Sequence, residues 1–260
     1  MRALVTNDDG VRSPGLTVLA EAARRRGLDV TAVAPSYDAR GSSAAMTAVT
    51  EDGQVTVVAR TDSGGAPVMG VQGPPAFIVR AAMYGAFGPP PDLVLSGVNR
   101  GQNTGRAVLH SGTVGAALTA ANHGRRALAL SAAVDEHDLW LPEDATVDLI
   151  IEWLEQTPAG TVLNVNLPGR SGRAGTGTGP LAAMATTLAE AGIVQGRVSD
   201  SGGSMSVVFE DGERPAGPGT DVAALDAGLV SVTAIRSVVE DDRVDTGRLL
   251  GARSRPKRRS

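Results

Sequence analysis

A chain of 260 residues, 42% of them hydrophobic, is long enough to bury the core of one large domain. Its 24 basic and 28 acidic side chains leave a formal charge of −4, which excludes a global electrostatic attraction to nucleic acid or an anionic membrane, so any phosphate must be recognised locally. The absence of cysteine excludes disulfides, thiolate nucleophiles and cysteine zinc sites, and no leader-like or membrane-length apolar run stands out, so a soluble cytoplasmic protein is expected. Aromatic residues make up only 3%, so base-stacking platforms have few candidates, Tyr37, Tyr84 and Phe87 among them.

Ala3 to Thr6 form an apolar, β-capable run that ends abruptly in Asn7-Asp8-Asp9-Gly10. Pro14 and Gly15 open a helix carried by Leu16, Leu19, Ala20 and Ala23 and stopped at Gly27, and Val30 to Ala34 form a second strand closed by Pro35. This is a βαβ unit with parallel strands, a geometry in which ligands bind beyond the carboxyl ends of the strands, where Asp8 and Asp9 lie. The small-residue loop from Ser36 to Thr47 follows the second strand on the same rim and can reach the Asp pair. It offers the Gly41 amide and the hydroxyls of Ser42 and Ser43.

Val55 to Ala59 and Val68 to Val71 are predicted strands joined by the turn Ser63-Gly64-Gly65, and a helix runs from Pro74 or Pro75 to Ala86. Asp92 to Asn99 repeats the opening theme of an apolar strand ending in a polar, glycine-rich loop, which puts Asn99 on the rim with Asp8. Ser111-Gly112-Thr113 then begins a small-residue helix through Asn122, and a helix start is a ready phosphate cradle because its first N–H groups are unpaired and lie at the positive dipole end. Ser111 is equally suited to capping that helix. Ala127 to Ala132 is a strand, Ala145 to Leu154 an amphipathic helix, and Val162 to Leu167 a strand ending in Asn166 and Pro168. Beyond it, Gly169 to Gly179 reads as flexible, Met205 to Phe209 as a hairpin strand and Val230 to Ile235 as a last strand.

The expected architecture is therefore α/β, a Rossmann-like, mostly parallel sheet with helices on both faces plus a C-terminal β extension. We read residues 1–245 as one domain, with about 169–245 a looser extension suited to self-association, and 246–260 as a disordered basic tail.

Two adjacent carboxylates without a neighbouring Lys or Arg repel each other, and holding both ionised calls for a cation; hard oxygen ligands favour magnesium, calcium or manganese. The alternative is that Asp8 and Asp9 only start a turn or cap a helix.

The blocks Val5-Thr6-Asn7-Asp8-Asp9-Gly10, Ser96-Gly97-Val98-Asn99-Arg100-Gly101 with Asn103 and Gly105, and His110-Ser111-Gly112-Thr113-Val114-Gly115-Ala116-Ala117 occur in this order. Together they resemble the SurE family, the survival-protein nucleotidases, and the match runs from Met1 to about Arg236 through Gly219-Thr220-Asp221-Val222 and Val230-Ser231-Val232-Thr233. The resemblance implies hydrolysis of phosphomonoesters, typically 5′- or 3′-nucleotides, dependent on a divalent metal, Mg2+ or Mn2+. It also implies a homodimer or homotetramer with exchanged C-terminal segments, and a metal held by the acidic pair, a serine of the second loop and the asparagine after the Ser-Gly-Val strand. Asp8, Asp9 and Asn99 match this set. The position expected to carry the serine is Arg40, followed by Gly41, Ser42 and Ser43.

A guanidinium cannot ligate a cation. Three arrangements are open: Ser42 or Ser43 supplies the hydroxyl, the metal keeps an extra water, or Arg40 takes the cation's place and leaves a protein that binds phosphorylated ligands without efficient turnover. Retained activity is favoured, because magnesium commonly keeps waters. On this reading Asp8 and Asp9 are catalytic and hold the metal with Asn99. Asn7, Arg40, Gly41, Ser43, Asn103, Ser111, Gly112 and Thr113 face the phosphate, and His110 stands beside the cradle. A dehydrogenase is a poor reading, since the first turn lacks Gly-x-Gly-x-x-Gly. His123 and His137 do not have zinc-site spacing.

Overall fold

A computed structural model describes residues 1–48, 50–52, 54–134, 140–169, 182–190, 194–200, 205–211 and 216–246. The predicted flexible stretch over 170–179, His137 and the basic tail from residue 247 lie outside the described residues. In chain order the elements are β1 (Arg2–Thr6), α1 (Pro14–Arg25), β2 (Asp29–Pro35), the short pair β3 (Thr50–Glu51) and β4 (Gln54–Val55), β5 (Val57–Thr61), β6 (Pro67–Val71), α2 (Pro75–Met83) and β7 (Leu93–Arg100). A 3-10 turn (Gly105–His110), α3 (Gly112–Asn122), β8 (Arg126–Ala132), α4 (Asp144–Glu155), β9 (Thr161–Leu167), β10 (Ala183–Ala185), β11 (Val194–Asp200), β12 (Met205–Asp211), α5 (Asp221–Asp226) and β13 (Val230–Arg236) follow.

Nine strands form one sheet in the order β10-β13-β9-β8-β7-β1-β2-β6-β5. Its centre is parallel, with β5 antiparallel on β6 at one edge and β13 antiparallel on β9 near the other. This is the α/β architecture the sequence predicts. The final strands extend that sheet, while β11 and β12 form a separate antiparallel hairpin.

Side chains alternate across each strand, so the two faces carry separate cores. Ala3, Val5, Leu93, Leu95, Leu128 and Leu130 pack against Leu16 and Leu19 of α1 and Ile150, Ile151 and Leu154 of α4. Leu4, Val94, Ala127 and Ala129 face α2 and α3. The alanine-rich α3 lies close to the sheet because its buried residues are small, Ala116, Ala117, Ala120 and Ala121 among them. Helix α2 ends at Met83 rather than at the predicted Ala86, because Gly85 takes φ +84° and the amides of Gly85 and Ala86 turn back onto Ala82 and Ala81.

The topology decides where a site can form. From β1 the chain moves outward through β2 on one side and later returns to lay β7 on the other. The crevice between the carboxyl ends of β1 and β7 is thus the switch point of the sheet. Among the described residues no helix is long and apolar enough to cross a membrane.

Candidate active site

The loop leaving β1 is held open from within. Asn7 is fully buried; its Oδ1 accepts from the Gly10 amide and its Nδ2 donates to the Gly10 carbonyl, both at 3.1 Å. Gly10 takes φ +94°, where only glycine is comfortable. The Asn7 side chain therefore braces the loop through both ends of its carboxamide.

Asp8 is 3% exposed and sits at the start of α3. Its Oδ2 accepts from the Thr113 amide at 3.1 Å and its Oδ1 from the Thr113 hydroxyl at 2.6 Å. Burial raises its pKa, and the two Thr113 bonds oppose that shift by stabilising the anion at a helix N-terminus. Asp9 is pushed up to about 6, chiefly by burial, with the Arg100 amide opposing and the charge of Asp8 adding to the rise. Two buried carboxylates with raised pKa values side by side are poised for a positive charge.

Strand β7 brings the third oxygen. Ser96 pairs with Ala129 and Asn99 with Ser131, so three steps along β7 match two along β8, and the extra residue makes a bulge. A Cβ on Gly97 would lie 2.3 Å from the Leu130 carbonyl, and one on Gly15 would lie 2.2 Å from the Val98 carbonyl. Both glycines are therefore required for the bulge to seat between β8 and α1. Past it, the Arg100 amide donates to Asp9 Oδ2 at 3.2 Å. Asn99 donates from Nδ2 to the Gly101 carbonyl at 2.7 Å, while its Oδ1 is buried without a partner among the described residues.

The second loop separates the three candidates that the sequence left together. Arg40 donates from Nε to both oxygens of Asp38 at 2.9 Å and from Nη2 to the same carboxylate, and its Nε lies 3.8 Å from Asp9 Oδ1. This pairing holds the Asp38 carboxyl below the usual range. The guanidinium thus stands beside the acidic pair, tied to Asp38, rather than between its carboxylates. Ser43 donates to the Leu109 carbonyl at 2.6 Å, which commits its hydroxyl. The Ser42 hydroxyl is buried and unpartnered among the described residues. Gly41 turns the loop at φ +73° with nothing near its Cα face.

At the head of α3, Ser111 accepts from the Val114 amide at 3.1 Å and so acts as the N-cap, a role that uses an oxygen lone pair and not the hydroxyl proton. His110 is exposed at the end of the 3-10 turn, close in sequence to the cradle. His123 lies at the other end of α3, edge-on to Tyr84 with ring centroids 6.1 Å apart.

Asn103 does not face the acidic pair with its side chain. Its Nδ2 donates to the Ser131 hydroxyl at 2.8 Å, its amide donates to Asn166 Oδ1 at 2.7 Å, and its carbonyl accepts from Asn164 at 3.0 Å and Asn166 at 2.9 Å. One residue on in this loop from Thr104, the Gly105 amide donates at 2.7 Å to the fully buried Asp221, whose other oxygen accepts from the amides of Ala189 and Val222. Sequence reasoning missed Asn164, Asn166 and Asp221 as supports of this loop. The alternation Asn164-Val165-Asn166 was a usable signal, since it puts two carboxamides on one face of a buried strand.

Among the described residues no three His, Cys, Asp or Glu side chains cluster as metal ligands. A cation at the acidic pair would need neutral oxygens to complete its shell, and the orphaned Asn99 Oδ1 meets that need. Hard oxygen donors of this kind fit magnesium or manganese and exclude a thiophilic metal.

The family model described as survival protein SurE matches residues 3–190. A 5′-nucleotidase SurE of Xanthomonas campestris pv. campestris (strain B100) is 35% identical over 243 residues, 90% of this chain and 89% of its own length. Another, from Xanthomonas euvesicatoria pv. vesicatoria (strain 85-10), is 38% identical over 172 residues, 65% of this chain and 64% of its own. The crystal structure of the SurE protein from Aquifex aeolicus superposes with a TM-score of 0.73 at 27% identity, covering 96% of this chain and all of that one. The acidic pair after β1, the Ser-Gly-Val-Asn tip of β7 and the start of α3 lie within the matched span, and the chain belongs to the SurE family.

Proposed function

We propose that the protein is a divalent-cation-dependent phosphomonoesterase that hydrolyses nucleoside 5′-monophosphates to nucleoside and phosphate, with 3′-monophosphates as further candidates. The observation that carries this reading is the buried Asn99 Oδ1, without a partner among the described residues, on the strand tip whose next amide binds Asp9. The name of the Xanthomonas relatives, 5′-nucleotidase, supports it.

Asp8, Asp9 and Asn99 would hold Mg2+ or Mn2+. The ion would polarise a phosphoryl oxygen and make a water more acidic. Thr113 fixes both oxygens of Asp8, so that carboxylate cannot swing. Asp9 is more open, with 12% of its side chain exposed, so it is the carboxylate of the pair that can reach and orient a water. The start of α3 offers the Gly112 amide and a positive dipole end to phosphoryl oxygens. Arg40, with a half-exposed guanidinium beside Asp9, adds a second positive charge toward the same group. His110, exposed at the end of the 3-10 turn just before α3, is our candidate for protonating the departing alkoxide. A homodimer or homotetramer in the cytoplasm completes the proposal.

The test is phosphate release from a panel of nucleoside monophosphates by the purified full chain with Mg2+ or Mn2+. Turnover that stops on adding chelator and falls with Asp9→Asn supports the reading. No release from any monophosphate at saturating metal overturns it.

A further inference from the structure

We infer that the Ser42 hydroxyl is the fourth protein oxygen of this cation site, with Asp38 holding Arg40 clear of it; the inference rests on the cation reading above and adds a ligand to it. Ser42 Oγ is buried and makes no hydrogen bond among the described residues. Buried hydroxyls are normally satisfied, and one left without a partner near the Asp8 carboxylate marks a place where a ligand supplies what the protein does not.

Its surroundings say which ligand. A Cβ on Gly112 would lie 2.7 Å from Ser42 Oγ and 2.8 Å from Asp8 Oδ2, so the hydroxyl and the carboxylate face the same small space, kept open by a glycine. The loop is fixed in that position at both ends of the turn. The Ser42 amide donates to the Ala39 carbonyl at 3.2 Å, the Ser42 carbonyl accepts from Ala45 at 3.0 Å, and the Ala39 amide donates to the Asp8 carbonyl at 2.7 Å. The Asp8 carboxylate accepts from Thr113 at both oxygens and keeps further lone pairs, as does the Ser42 hydroxyl. A hard cation satisfies the Ser42 oxygen and the Asp8 carboxylate together.

The neighbouring residues are otherwise engaged. Ser43 takes φ +52° and donates its hydroxyl proton to the Leu109 carbonyl. Arg40 is tied through Nε and Nη2 to Asp38. The ligand has moved two positions along the loop from where the family resemblance expects a serine, and the displaced position carries a cationic side chain tethered at the rim.

The chain has no cysteine, which makes a thiol probe unambiguous. The full-length protein is prepared as wild type and as Ser42→Cys, Ser43→Cys, Ser42→Ala and Ser43→Ala. Titration of the two cysteine variants with Cd2+ is expected to give a thiolate-to-metal charge-transfer band in Ser42→Cys alone. Titration of Mn2+ by calorimetry is expected to show affinity about tenfold weaker in Ser42→Ala and changed by less than about twofold in Ser43→Ala. The metal-free melting temperature of Ser42→Ala should match wild type, since the hydroxyl has no internal hydrogen bond to lose. A charge-transfer band in Ser43→Cys instead, or Mn2+ affinity in Ser42→Ala equal to wild type, overturns the assignment while leaving the cation site standing. Wild-type protein that binds no Mn2+ overturns both.

Discussion

Two polar clusters lie side by side on the rim of the sheet, and they are built on opposite principles. On the side of β8, β9 and α5, donors and acceptors answer one another: Asn103 is bonded through amide, carbonyl and side chain, Asn166 through both ends of its carboxamide, and Asp221 through both oxygens. Asn164 Oδ1 is the exception there. On the side of β1, β7 and the second loop, Ser42 Oγ and Asn99 Oδ1 are without a partner among the described residues, near carboxylates whose pKa values burial has raised. A saturated cluster holds the chain in place; one with oxygens left over is completed by something the protein binds.

The comparison breaks first at Asp9. Asp9→Asn should lower kcat by at least about 10²-fold while the protein remains folded, because it removes a charged oxygen from the open cluster and touches nothing in the closed one. Phosphate release beside a circular-dichroism melt checks this; full activity would show that the open cluster is not the reactive one.

Gly112→Ala pushes a methyl group into the space shared by Asp8 and Ser42 and should lower kcat/KM by about 10- to 100-fold through misplaced oxygens. Steady-state kinetics with a nucleoside monophosphate measures it.

The closed cluster should answer in stability. Asn166→Leu removes the acceptor of the Asn103 amide and one of the two donors to its carbonyl, and should destabilise the fold by about 2 kcal/mol, read from denaturant unfolding. Ser42→Ala under the same conditions should have no such effect, and a similar loss in both variants would erase the distinction.

The smallest effect belongs to Arg40. Its guanidinium is 56% exposed and 3.8 Å from Asp9, so Arg40→Ser should tighten Mn2+ binding by about fivefold at most, with the gain shrinking at high salt. Weaker binding in that variant would make the arginine a support of the site rather than a competitor.

Much of the framework was legible in the residues because periodicity is a local property. Runs such as Leu93-Val94-Leu95 read as buried strands, and the parallel α/β rule then put the tips after β1 and β7 on one rim, bringing Asp9 and the Asn99 strand end together across 90 residues. The roles within the second loop were not legible. Ser42 and Ser43 are adjacent and chemically identical, and what separates them is a left-handed turn at Ser43 and the carbonyl of a residue 66 positions away.

What the sequence determined by itself was the main alternation of strands and helices through β9, the acidic pair at the end of the first strand and the resemblance that names the family, since each depends on near neighbours or on motif order. Only the tertiary structure decided which oxygens are used up and which remain. Gly105 meets Asp221 across 116 residues, and Asn103 is closed by Asn164 and Asn166 across about 60, while among the described residues no partner meets the Ser42 hydroxyl. Hydrogen-bond satisfaction is a property of the packed interior, so it can be counted only after distant segments have been brought together.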